Sequence, residues 1–168
     1  QHGGEPVMWK TGHSLIKAKL KETGAPLAGE MSGHIFFNDR WPGFDDALYA
    51  GARLLEILSR EREPSKLLES LPKSISTPEL KLYCNEISHF DLVERLKSEG
   101  CFPSSKESIL IDGIRVEYID GFGLARPSNT TPVVVLRFEA NNHSALGKIQ
   151  DEFRRSLLSI DKSLALPF

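Results

Sequence analysis

Cysteine is scarce in this sequence. Cys84 and Cys101 are the two in 168 residues, with no Cys-x-x-Cys pair and no array of spaced partners, so neither a disulfide framework nor a thiolate zinc site is expected. Long hydrophobic runs are also lacking. No apolar stretch approaches the roughly 18 residues of a membrane span, and the N-terminus has no basic segment followed by a hydrophobic one. Nor is there an excess of positive charge. Lys and Arg number 21 against 23 Asp and Glu, a formal net charge of -2, which offers no general attraction for nucleic acid. These absences point to a reducing cytoplasm, with no nucleic acid and no membrane as partner. The opening string, QHGGEPVMWK, has no initiator methionine and reads as the start of a fragment of something larger.

What is present is ordinary globular material, 40% hydrophobic and 26% charged, enough for one or two small cores. SLIKAKLKET places Leu15, Ile16 and Leu20 on one side of a short helix, with Ser14 as its N-cap and Gly24 as its stop. PLAGEMSGHIFFND is too short and too glycine-rich for a helix and reads as strand, tight loop, strand. GFDDALYAGARLLEILSRE predicts a longer helix, with Asp45 and Asp46 at its positive end and Leu48, Ala52, Leu55 and Leu58 down one face. Charge and proline then gather around Pro64, Pro72 and Pro78, where the apolar period is lost. A boundary is expected near residue 74, giving units 1–73 and 74–168. In the second, ELKLYC alternates like a strand, FDLVERLKSEG reads as a helix stopped by Gly100, and residues 108–140 read as three strands with a tight Asp112-Gly113 hairpin. The last helix steps through Leu146, Ile149, Phe153, Leu157 and Ile160. The fold class expected is α/β followed by α+β, the latter an antiparallel sheet flanked by two helices (β-α-β-β-β-α).

Two polar clusters interrupt this pattern. In GEMSGH, Glu30 can accept hydrogen bonds from two neighbouring sugar hydroxyls, and Ser32 and His34 can complete the polar ring; the alternative is a glycine turn with solvated side chains. In RPSNTT, Arg126 offers a planar fork for two phosphate oxygens, Ser128, Thr130 and Thr131 carry hydroxyls, and Asn129 tolerates the αL conformation; the alternative is a polar hairpin turn. Spacing alone leaves both pairs of readings open. Lys10 and His13 follow a short strand-like stretch and precede a helix N-terminus, which favours an anion. His2, His89 and His143 show no metal-ligand spacing to one another or to His13 and His34. Asp45 and Asp46 are read as helix-start carboxylates rather than magnesium ligands.

MWKTGHSLIKAKLKETGAPLAGEMSGHIFF followed by RPSNTTPVVVLRFEA strongly resembles the α-D-phosphohexomutases, and among them the bacterial phosphomannomutase/phosphoglucomutase branch. The resemblance covers essentially the whole chain and implies the later part of domain three (1–73) followed by domain four (74–168). It implies that Glu30 and Ser32 bind the sugar 3- and 4-hydroxyls with His34 beside them, and that Lys10, Gly12 and His13 line the same wall. Arg126, Ser128, Asn129 and Thr130 would hold the non-reacting phosphate, with Thr131 supporting the loop. The implied reaction moves a phosphoryl group between C6 and C1 of mannose or glucose through a phosphoserine and a bisphosphorylated sugar. The family's phosphoserine loop, Thr-Gly-Ser-His-Asn-Pro, and its Asp-Gly-Asp-Gly-Asp-Arg magnesium loop do not occur here. No catalytic residue and no metal ligand is therefore expected in this chain, and Mg2+ would be bound by a domain absent from it. Contacts with the missing N-terminal domains, and inactivity of the chain alone, follow. A stand-alone phosphosugar-binding module and a phosphoglucosamine mutase fragment are the alternatives.

Overall fold

A computed structural model describes residues 3–168; His2 lies outside the described residues. The chain divides after Pro72, and a second unit runs Lys73–Phe168.

The first unit begins its regular structure with α1 (His13–Thr23). Its N-cap is Gly12, with φ of 129° and no side-chain cap, which corrects the expectation for Ser14. That residue lies inside the helix, its hydroxyl 3.5 Å from His13 Nδ1, because the Gly12 conformation starts the helix earlier. Gly24, at φ 66°, ends it in the left-handed region. The strand-like stretch ahead of Lys10 pairs with no strand among the described residues. A hairpin follows, β1 (Leu27–Gly29) against β2 (Ile35–Phe37), antiparallel with Gly29 opposite Ile35. Phe36 is fully buried in it.

An isolated bridge then sets Asp45 opposite Phe36, and α2 (Ala47–Leu58) starts from Asp46, whose side chain accepts the Tyr49 N–H at 2.9 Å. The apolar face of α2 stays uncovered: Leu48 is 89% and Leu55 67% exposed. A one-and-a-half-turn helix, α3 (Pro64–Glu69), was not expected; Pro64 suits its first turn, where no N–H is needed.

The second unit carries the antiparallel sheet and two helices that the alternation and periodicity imply. Its strands are β3 (Ile75–Ser76), β4 (Leu80–Tyr83), β5 (Glu107–Ile109), β6 (Ile114–Glu117), β7 (Gly121–Pro127) and β8 (Val133–Ala140). They run in the order β3-β8-β7-β6-β5, with β4 also paired to β8. Residues 108–140 thus hold four strands rather than three, and β3 extends the sheet beyond the expected set. The β5–β6 hairpin turns through Leu110–Gly113 rather than through two residues. A tight type I′ turn needs positive φ at both central positions, and of the pair only Gly113 has it, at 72°.

Helices α4 (His89–Glu99) and α5 (His143–Ile160) cover one sheet face. Alternate residues of β8, Val134, Leu136, Phe138 and Ala140, join Leu92 and Leu96 of α4 and Ile149, Phe153 and Leu157 of α5 in one core. Gly123 stands opposite Phe138 because a Cβ there would meet the Phe153 ring at 2.3 Å. Among the described residues no helix is long and apolar enough to cross a membrane.

Candidate functional site

The first polar cluster is built by the β1–β2 turn. Glu30 follows β1 directly and continues its ladder, its N–H donating to the His34 carbonyl at 2.9 Å, while Gly33 N–H returns to the Glu30 carbonyl at 3.0 Å. Gly33 adopts φ 95°, so the turn needs glycine there. Glu30, just after β1, and His34, just before β2, are thereby held at the two ends of the turn, with Met31 and Ser32 exposed at the tip.

Glu30 uses its two oxygens differently. Oε2 accepts the Gly12 N–H at 3.0 Å, tying the turn to the start of α1. Oε1 is buried and has no protein partner. A buried carboxylate oxygen left without a donor is costly. The other such atom among the described residues, Trp41 Nε1, belongs to an aromatic stack with Tyr49 at 4.2 Å.

His34 and His13 approach with ring centroids 6.0 Å apart. His34 Nδ1 is joined to Asp45 Oδ2, a partnership the sequence did not suggest. Of the two carboxylates read as helix-start residues, only Asp46 caps α2. Asp45 sits one residue earlier, bridged to β2 at Phe36, and turns to His34, whose hydrogen bond holds its carboxyl below the usual carboxylate range. The structure therefore gathers Gly12, His13, Glu30 and His34, adds Asp45, and leaves Lys10 and Ser32 exposed with no side-chain partner among the described residues. The groove of about 610 Å³ in the same unit is lined by Met8, Trp9, Leu20 and Leu27 and contains none of these polar candidates. It is an apolar surface, distinct from the polar cluster.

The second cluster is the β7–β8 turn. Arg126 and Pro127 end β7, and Val133 opens β8. Ala125 faces the helices in the core, so Arg126, next along the strand, stands on the opposite sheet face. Its guanidinium has no ion pair or hydrogen bond among the described residues. Ser128, only 8% exposed, is the hub of the turn. Its N–H donates to the Val133 carbonyl at 3.0 Å, and its hydroxyl oxygen receives the N–H groups of Thr130 and Thr131 at 3.3 and 3.2 Å. Thr131 Oγ1 lies 3.0 Å and Thr130 Oγ1 3.4 Å from the same hydroxyl.

RPSNTT is thus a hairpin turn, with the hydroxyls of Ser128, Thr130 and Thr131 gathered in it. A residue the sequence did not place here, His89, reaches in from the first turn of α4 and holds the Ser128 carbonyl through Nε2 at 3.1 Å. Among the described residues no three His, Cys, Asp or Glu side chains are grouped to hold a metal ion.

Comparison with known proteins gives this arrangement a context. Residues 1–75 match the family model for the phosphoglucomutase/phosphomannomutase alpha/beta/alpha domain III, and residues 79–156 match the model for the C-terminal domain of the same proteins. The chain is 53% identical over 168 residues to the phosphomannomutase/phosphoglucomutase of Pseudomonas aeruginosa, covering 99% of this chain and 36% of that protein. It is 57% identical over 155 residues to the phosphoglucomutase of Neisseria gonorrhoeae, covering 92% of this chain and 34% of that one. A crystal structure of a phosphoglucomutase/phosphomannomutase family protein from Burkholderia thailandensis superimposes with a TM-score of 0.93 at 63% identity, over 99% of this chain and 35% of that one. This chain spans about a third of the length of such relatives. A probable phosphoglucosamine mutase of Thermococcus gammatolerans is 28% identical over 151 residues.

Proposed function

The chain belongs to the phosphoglucomutase/phosphomannomutase family of α-D-phosphohexomutases, and we propose that it is the sugar- and phosphate-binding portion of a phosphomannomutase/phosphoglucomutase. The whole enzyme would interconvert the 6- and 1-phosphates of mannose or glucose through a phosphoserine and a bisphosphorylated sugar. The unpartnered, buried Glu30 Oε1 carries the reading. With Oε2 fixed by Gly12, Glu30 presents a preset acceptor to a sugar hydroxyl at little cost in reorganisation. Ser32 at the turn tip and His34 beside it add polar contacts, and Lys10 and His13 complete that wall.

In the second unit Arg126 would grip the non-reacting phosphate, with Asn129 and the hydroxyls of Ser128, Thr130 and Thr131 around it. Arg126 pairs with no carboxylate among the described residues, so binding a phosphate there breaks no described ion pair. An anchor that reads the 3- and 4-hydroxyls is blind to C2, where mannose and glucose differ, and so serves both sugars. The 28% identity to a probable phosphoglucosamine mutase, against 53% to a phosphomannomutase/phosphoglucomutase, favours this assignment.

The transfer itself would be done by groups outside this chain. Because this chain spans about a third of the length of such relatives, the phosphoserine and the metal would belong to other domains of the same polypeptide. Two unpaired cysteines, Cys84 and Cys101, suit a cytoplasmic enzyme. The test compares the 168-residue chain with the full-length protein on glucose 1-phosphate and mannose 1-phosphate. Turnover is expected only from the latter. Robust turnover by the chain alone would overturn the proposed division of labour.

A further inference from the structure

We propose that His89 is a positioning residue for the phosphate loop: by holding the Ser128 carbonyl it aims the Asn129 N–H at the bound anion. The proposal rests on the reading of Ser128–Thr131 as a phosphate-binding turn. The turn satisfies nearly every polar group of Ser128 by itself, the N–H through Val133 and the hydroxyl through Thr130 and Thr131. The carbonyl is the exception. Its partner comes from 39 residues away, His89 Nε2 at 3.1 Å.

A carbonyl oxygen can only accept, so Nε2 carries the proton, and both the neutral Nε2–H tautomer and the imidazolium can make this bond. The ring is itself well held. His89 begins α4 directly after Ser88, whose hydroxyl caps the helix by accepting the Asp91 N–H at 3.0 Å, and its imidazole lies 4.3 Å from the Phe90 ring. The bond therefore links a capped helix to a turn.

Its consequence follows from peptide geometry. All peptide bonds among the described residues are trans, and a trans peptide places C=O and the next N–H on opposite sides. With the Ser128 carbonyl turned to α4, the Asn129 N–H points away from α4. Arg126 stands on the sheet face opposite α4, and the Asn129 N–H has no acceptor among the described residues. One backbone donor and one guanidinium are thus left for the same anion, and His89 touches neither.

The full-length protein carrying His89→Ala, His89→Asn and His89→Gln tests this. The glutamine amide nitrogen occupies the topological position of Nε2, whereas the asparagine nitrogen occupies that of Nδ1. Binding of inorganic phosphate is read from the Asn129 amide resonance, and KM and kcat from turnover of glucose 1-phosphate. Alanine and asparagine are expected to weaken phosphate binding and raise KM about three- to tenfold, the value of one net hydrogen bond, with kcat nearly unchanged. Glutamine should stay within about twofold of wild type.

Equal affinity in all four proteins would overturn the proposal, as would a glutamine variant as weak as alanine, which would make His89 a packing residue. A failure of the loop assignment looks different. In that case the Asn129 resonance of the wild type would ignore phosphate and Arg126→Ala would leave its affinity unaltered.

Discussion

Glu30 does two jobs with one carboxylate, and the two can be separated. Glutamine keeps one oxygen to accept the Gly12 N–H but puts a donor where Oε1 now offers an acceptor. Glu30→Gln in the full-length protein should therefore leave its thermal midpoint nearly unchanged while lowering kcat/KM about tenfold or more, the scale of a lost charge-assisted hydrogen bond; a matched loss of stability and activity would argue against separate roles. The Asp45–His34 pair makes a pH prediction. The carboxyl of Asp45 is held below its ordinary 3.8 by the His34 hydrogen bond, so the pair stabilises the turn above that value and the contribution fades as pH falls through the lowered one. NMR titration should show the His34 ring resonances moving on the acid side of 3.8 in wild type. In Asp45→Asn this acid-side change should vanish. At this scale GEMSGH and RPSNTT were legible as polar interruptions of apolar runs, but Asp45 was not distinguishable from Asp46, because both are acidic and both precede a helix.

Elements met expectation where the apolar period was continued by burial. The α5 positions Ile149, Phe153 and Leu157 were read from spacing and all enter the core. For α2 the same kind of period gave the helix but not its environment: Leu48 and Leu55 are exposed, since periodicity identifies a face and says nothing of what covers it. The sheet is where packing constrains sequence most tightly. Gly123→Ala should destabilise the second unit by about 1–3 kcal/mol, because the new methyl meets Phe153, opposite Phe138. Adding Phe153→Leu should recover part of that loss. Denaturant melts of the single and double variants measure the coupling, and strict additivity would show that the ring does not set the requirement for glycine.

For the chain as a whole, the two units differ in how much they bury. The first has Leu20 and Phe36 as its buried apolar residues, the second a continuous cluster running from Leu82 to Leu164. Hydrophobic burial dominates stability, so the 168-residue chain should protect the amides of β7 and β8 from hydrogen exchange far longer than those of β1 and β2; equal protection would refute this ranking. The amphipathic helices, most of the strands and the two polar turns were legible in the amino-acid pattern, because those signals are local and repeat every two to four residues, whereas α3 and β3 were not. Which carboxylate serves His34 and which histidine holds Ser128 emerges with the folded chain alone. Asp45 reaches His34 through a bridge to β2, and His89 reaches Ser128 across 39 residues. Such partnerships are set by strand register and by where a helix begins against a sheet, and neither is encoded in the spacing of the residues they join.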